Sequence, residues 1–194
     1  LGQSLWVDEQ STVVISGAHG GIGSAISTHL RQGGYHVVGL VRNPDVHNPI
    51  CTTQFQCDVT DHLAIQYAAQ YVGDRCDALI IAHGHAPVTT PSSALDPVDF
   101  SNVLHTDVTG AFMLAQAFGT IMLKKGHGSI VFLSSLHARQ TYPARAAYAA
   151  AKAAVCGMMR SLALEWGPCG ISVNAILPWQ VEGRRTNAFV DEAK

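Results

Sequence analysis

Charge is scarce in this sequence. Only 13% of its 194 residues are Asp, Glu, Lys or Arg, and the formal net charge is −2. With no run of Lys or Arg, nothing attracts a polyanion, and we expect no nucleic-acid partner. Long apolar runs are missing as well. None approaches the roughly 18 residues that a membrane span needs, so no membrane partner is expected. No secretory signal pattern is visible. Cys51, Cys57, Cys76, Cys156 and Cys169 are odd in number and form no CxxC pair. They read as reduced thiols of a cytoplasmic protein. Leu1 rather than Met stands first, from which we expect a further N-terminal piece.

What is present is apolar: 47% of the residues are hydrophobic, enough to bury a large core in one domain spanning 1–194. Ten His residues make the charge rise below a pH of about 6.5. Short apolar runs alternate with helical patterns. Thr12 to Ser16, Tyr35 to Val41, Thr53 to Cys57, Ala78 to Ala82, Ile130 to Leu133 and Ile171 to Leu177 read as strands. Helices are expected from about Ser24 to Gln32, from Asp61 as a cap to Val72, from Pro97 to Leu123, and from Ala146 to Trp166. Glu182 to Lys194 reads as one short helix or a frayed end. This alternation predicts an α/β fold with a parallel sheet covered on both faces.

Directly after the first strand comes Gly17-Ala18-His19-Gly20-Gly21-Ile22-Gly23. Glycines let backbone approach a pyrophosphate, and the following helix offers free N–H groups and a positive dipole end. A glycine cluster alone also fits an ordinary loop. The second strand ends in Val41 and Arg42, not in an acid. No carboxylate stands there to repel a ribose 2′-phosphate, and Arg42 can pair with one. That favours NADP, with NAD possible; Arg42 stacking on adenine or facing solvent is the other reading. Asp58 stands where it can accept from an adenine amino group, or simply form a turn.

The fifth run ends in Ser134 and Ser135. Tyr148 and Lys152, at i and i+4, share one face of the helix that follows. A free Tyr has a pKa of about 10. A Lys ammonium nearby favours the phenolate and brings the phenol toward a useful acid/base range. Tyr and Lys are common helix residues, so the pair alone is also compatible with chance.

Together these positions resemble the short-chain dehydrogenase/reductase family. Ser16 to Gly23 is similar to its TGxxxGIG, with Ser16 for Thr. Cys57-Asp58-Val59 is similar to its adenine-contacting Asp-Val. Ser135 with Tyr148-x-x-x-Lys152 is similar to its catalytic Ser and YxxxK, and Val173 to Pro178 to the strand leading to its Pro-Gly. The resemblance implies a Rossmann-type doubly wound parallel sheet. It implies an NADP(H)-dependent oxidoreductase interconverting a ketone and a secondary alcohol, with a small-molecule carbonyl or alcohol substrate. Tyr148 is then the acid/base group, and Ser135 hydrogen-bonds the same oxygen. Lys152 binds the nicotinamide ribose and lowers the Tyr148 pKa. Gly17, His19, Gly21, Ile22, Gly23, Arg42, Asp58, Val59, Gly84, Tyr148, Lys152 and Pro178 are the implied cofactor contacts. Spacing to Tyr148 and strand alternation favour Ser135 over Ser134.

Three departures stand out. The family's Asn-Asn-Ala-Gly is here Ile81-Ala82-His83-Gly84, which puts its side-chain bridge between strands in doubt. Asp107 occupies the place of the family's catalytic Asn, and a carboxylate there competes for the Lys152 charge. Trp179 follows Pro178 where Gly is usual. The sequence also stops before the family's substrate-covering helices and final strand, so we expect the C-terminal strand and lid to be missing. His83 and His85 suggest a metal pair, but with no third ligand in the sequence no metal is expected. His137 and Tyr142 read as substrate-wall residues or as loop packing. Phe112, Met113, Ala117 and Phe118, with Val155, Met158, Met159 and Leu162, supply apolar helix faces for a homodimer or homotetramer. The rival readings are a non-catalytic NAD(P)-binding protein of the same fold and a purely structural interaction protein.

Overall fold

Every residue of the first strand, β1 (Thr12–Ser16), is buried. Its branched apolar side chains therefore serve both faces of a sheet, as a central parallel strand requires. The computed structural model describes residues 11–43, 50–85 and 89–181. The other strands are β2 (His36–Val41), β3 (Thr53–Gln56), β4 (Cys76–Ile81), β5 (Gly128–Leu133) and β6 (Ile171–Ile176). All six are parallel, in the order β3-β2-β1-β4-β5-β6. This is the doubly wound Rossmann-type arrangement that the sequence predicts. The order reverses between β1 and β4, so a crevice opens at their C-terminal ends, where ligands bind in such sheets.

Helices α1 (Gly21–Gln32), α2 (His62–Val72), α3 (Pro97–Leu104), α4 (Ala111–Lys125) and α5 (Ala146–Trp166) cover the sheet. Val13, Ile15, Val37, Val41 and Cys51 pack with Ile26 and Leu30 of α1 on one face. Val14, Leu40, Leu79, Phe118, Phe132, Val155 and Trp166 belong to the larger core on the other. Asp61 caps α2, accepting from Leu63 N at 2.8 Å and Ala64 N at 3.2 Å. Asp96 caps α3, accepting from Val98 N at 2.7 Å, with Pro97 just inside.

The expected single helix from Pro97 to Leu123 is corrected in one respect. Residues 105–110 form a wide π-helical segment joining α3 to α4. The segment carries Asp107 and Gly110 inward to buried positions. A Cβ on Gly110 would lie 2.7 Å from the Val59 carbonyl oxygen, so the helix runs directly against the loop after β3. Such wide turns recur at functional sites.

The apolar helix faces divide. Ala117, Phe118, Val155 and Leu162 are buried beneath the sheet, whereas Phe112 is 41% exposed. No described helix is long and apolar enough to cross a membrane. The stretch from Glu182 to Lys194 lies outside the described residues.

Candidate active site

The glycine loop leaves β1 in a left-handed turn at Gly17, with φ of 70°. A Cβ there would sit 2.7 Å from the His83 backbone nitrogen, so only glycine lets β1 and the loop after β4 close up. Gly23 is equally constrained: its Cβ would run into the Gly17 carbonyl. Gly21 faces open space. No side chain caps α1 and no acid occupies its first turn. Among the described residues, His19 Nε2 is buried without a hydrogen-bond partner. Free amides, a positive dipole end, an unsatisfied imidazole and room above Gly21 fit a bound pyrophosphate.

Arg42 and Asp58 line one side of a cavity of about 930 Å³, which Phe55, Tyr67 and Tyr71 also border. Asp58 Oδ1 accepts from Thr60 N at 2.9 Å and from Thr60 Oγ1 at 2.7 Å, and these bonds hold its carboxyl below the usual range. Asp58 is thus a turn residue with one oxygen committed. Its other oxygen makes no hydrogen bond among the described residues. Val59 is buried against Gly110.

His83 replaces the missing side-chain bridge. Its Nε2 lies 3.1 Å from the Thr106 carbonyl, which can only accept, so Nε2 donates. Nδ1 then accepts from Ser16 Oγ at 2.8 Å. One imidazole ties the end of β1 to the π segment. Burial pushes its pKa down to about 4, so it is neutral near pH 7. His83 is spent on structure.

The two serines after β5 separate cleanly. Ser134 Oγ donates to the Lys152 carbonyl at 2.9 Å and accepts from Cys156 Sγ at 3.2 Å. It clips the strand end to α5. Ser135 Oγ accepts from His137 N at 3.3 Å, leaving its own hydrogen to donate. Tyr148, partly exposed, stands one turn before Lys152, whose Nζ is 5.5 Å from the phenol ring centre.

Lys152 is buried. Its Nζ donates to the Leu133 carbonyl at 3.3 Å and lies 3.3 Å from Asp107 Oδ2, an ion pair without a well-aligned hydrogen bond. The ammonium is thus shared between Asp107 and the Leu133 carbonyl. Asp107 Oδ1 accepts from the His85 backbone N–H at 2.8 Å and faces His85 Nδ1 at 3.1 Å. Gly84 admits this cluster: a Cβ there would meet Asp107 Oδ2 at 2.9 Å and Lys152 Nζ at 3.0 Å. The two histidines thus serve different partners, and no group of three metal-ligating side chains occurs among the described residues.

Above Tyr148 sits an aromatic wall. The His137 ring lies 5.5 Å from Tyr148 and 5.7 Å from both Tyr142 and Trp179, and Tyr142 lies 5.5 Å from Trp179, all between centroids. Leu136 N donates to the Pro178 carbonyl at 3.0 Å, which latches the loop after β5 to the segment after β6. Burial, with Arg145 nearby, lowers the His137 pKa. Sequence reasoning places His137 and Tyr142 here but misses the part of Trp179, whose ring closes the cluster. It also misses the Ser134 clip and the His83 bridge.

Comparisons with known proteins agree with this layout. The family model for short chain dehydrogenase matches residues 11–193. D-threitol dehydrogenase of Mycolicibacterium smegmatis is 32% identical over 193 residues, covering 91% of this chain and 74% of the relative. The 3-oxoacyl-acyl-carrier-protein reductase of Escherichia coli is 27% identical, covering 96% and 80%. The structure of a gluconate 5-dehydrogenase from Burkholderia cenocepacia, solved with NADP and tartrate, superposes with a TM-score of 0.88 at 26% identity, covering 96% and 77%. The chain belongs to the short-chain dehydrogenase family and is an NAD(P)-dependent oxidoreductase of that kind.

Proposed function

We propose that this chain interconverts a ketone and a secondary alcohol with NADP(H), using Tyr148 as the acid/base group. The observation that carries the reading is the division of labour at the end of β5. Ser134 is consumed in a structural clip, while the Ser135 hydroxyl, next to His137 whose ring packs on Tyr148, stays free to donate. In reduction the Tyr148 phenol gives its proton to the carbonyl oxygen as charge develops there, and Ser135 Oγ–H stabilises the same oxygen. Lys152, held by Asp107 and the Leu133 carbonyl, keeps a positive charge beside the phenol. When bound, the nicotinamide cofactor supplies or takes up the hydride. The glycine loop and α1 N-terminus hold its pyrophosphate, and Arg42 meets the 2′-phosphate, with NAD as the weaker cofactor. The aromatic wall of His137, Tyr142 and Trp179 bounds the substrate side.

The five free thiols fit a cytoplasmic setting. The exposed Phe112 on α4 supports pairing between copies of the chain, as a homodimer or homotetramer. Fluorescence titration with NADPH and NADH, followed by a ketone panel, tests the reading. Tighter binding of NADPH with ketone-dependent oxidation supports it. Failure to bind either nucleotide overturns it.

A further inference from the structure

A phenol that hands a proton to a substrate must keep its oxygen free to do so. Its direction is then set through the ring. Two contacts bear on the Tyr148 ring. Lys152 Nζ lies 5.5 Å from its centre. From the loop after β5, the His137 ring meets it at 5.5 Å and 76°, an edge-to-face pair. Burial and the nearby Arg145 keep this imidazole neutral around pH 7, so it meets the phenol as a ring and not as a cation.

His137 is held in turn. Trp179 lies 5.7 Å from it at 40°, Tyr142 lies 5.7 Å from it at 73°, and its Nδ1 faces Thr141 Oγ1 at 3.3 Å. Trp179 directly follows Pro178, whose carbonyl takes the Leu136 N–H at 3.0 Å, so the ring enters from a segment already latched to this loop. Tyr142 and Trp179 remain 52% and 44% exposed. Rings left this wet contribute little to the core. The loop also turns at Ala144 with φ of 60°, a conformation that a residue other than glycine keeps only where its surroundings impose it. Tyr142 in the cluster and Tyr148 on α5 stand on either side of that turn. Ring contacts therefore run from Trp179 to His137 and from His137 to Tyr148, across three segments of the chain.

We propose that His137 and Trp179 are positioning residues for the reaction: Trp179 pins the His137 ring, and the His137 ring sets the direction of the Tyr148 phenol. A proton-transfer group displaced by even 1 Å loses much of its rate, so the cluster acts on the chemical step and not only on substrate fit. The inference rests on Tyr148 as the acid/base group and adds what aims it.

The test uses the full-length protein with NADPH and 2-butanone, a ketone too small to lean on the wall. His137→Ala lowers kcat by about tenfold with KM for both substrates little changed. His137→Phe, which keeps a ring and removes both nitrogens, restores kcat to within about threefold of wild type. Trp179→Gly, which leaves His137 in place, lowers kcat by about threefold to fivefold. A second readout needs no turnover. The protein is labelled with 3-fluorotyrosine, and the Tyr148 resonance is assigned by its loss in Tyr148→Phe. Trp179→Gly shifts that resonance through His137, and the melting temperatures of all variants establish that they are folded. A shifted resonance, in a protein whose Tyr148→Phe variant still reduces the ketone, leaves the ring contacts standing and removes the acid/base reading alone. Three results overturn the inference: kcat in His137→Ala within twofold of wild type while Tyr148→Phe is inactive, a loss in His137→Phe equal to that in His137→Ala, or a Tyr148 resonance indifferent to Trp179→Gly.

Discussion

Asp107 Oδ2 and Lys152 Nζ lie 3.3 Å apart with both side chains withdrawn from solvent, 0% and 6% exposed. The pair joins the π segment between α3 and α4 to α5, and it fixes the ammonium beside Tyr148.

Removing one partner strands the other. Asp107→Ala leaves the Lys152 charge buried with only the Leu133 carbonyl, and stability falls by about 3 kcal/mol in urea titration. Adding Lys152→Met to the same variant recovers most of that loss. If the double variant is as unstable as Asp107→Ala, the pair is not the source of the effect.

His83 makes stability depend on acid. Its pKa is about 4 in the folded protein and about 6.5 in an unfolded chain. The unfolded state therefore binds the proton first as pH falls. The full contribution is present above pH 6.5, shrinks between 6.5 and 4, and is gone below 4, a change of about 3 kcal/mol. Urea midpoints across this window show the slope, and His83→Gln flattens it. A wild-type slope that survives the substitution places its origin elsewhere.

Ser134 and Ser135 should fail in different ways. Ser134→Ala loses the clip to the Lys152 carbonyl and costs about 1 kcal/mol of stability, with turnover retained. Ser135→Ala lowers kcat for ketone reduction by about 100-fold or more with a normal melting temperature. Steady-state kinetics beside thermal unfolding separates them, and a reversed pattern would exchange their roles.

Arg42 should govern the choice of nucleotide. Arg42→Ala weakens NADPH binding by about tenfold relative to NADH, the loss of one charge-assisted contact. Fluorescence titration reads both constants. Equal weakening of the two would assign Arg42 to adenine stacking.

The parallel α/β layout and the glycine turn after the first strand are legible in the sequence because each rests on local patterns. Thr12 to Ser16 is an apolar run bounded by glycine, and the alternation of strands and helices dictates a parallel sheet. Element ends are less legible, since distant partners set them. β4 begins at Cys76 rather than Ala78 because Asp77 is held by Thr12 N at 2.9 Å and by Lys125 at 2.8 Å. α1 begins at Gly21 rather than Ser24 although glycine is a poor helix former. The π segment hides in an ordinary helical pattern, for nothing in His105 to Gly110 announces the extra width. Asp107 stands in the sequence as a carboxylate at the place of an amide, and in the fold its Oδ2 lies 3.3 Å from Lys152 Nζ. His85 as the other arm of that carboxylate was invisible, because 22 positions separate the two. His83 looked like a lost bridge, yet a longer side chain restores the bridge from a different atom.

The most direct test of the account is Tyr148→Phe, assayed for NADPH binding by fluorescence and for ketone-dependent NADPH oxidation. The substitution deletes one hydroxyl and keeps the ring that packs against His137. NADPH should bind within a few-fold of wild type while turnover falls by about 100-fold or more. Turnover within a few-fold of wild type would show that the phenol does not move the proton, and the proposed mechanism would fall.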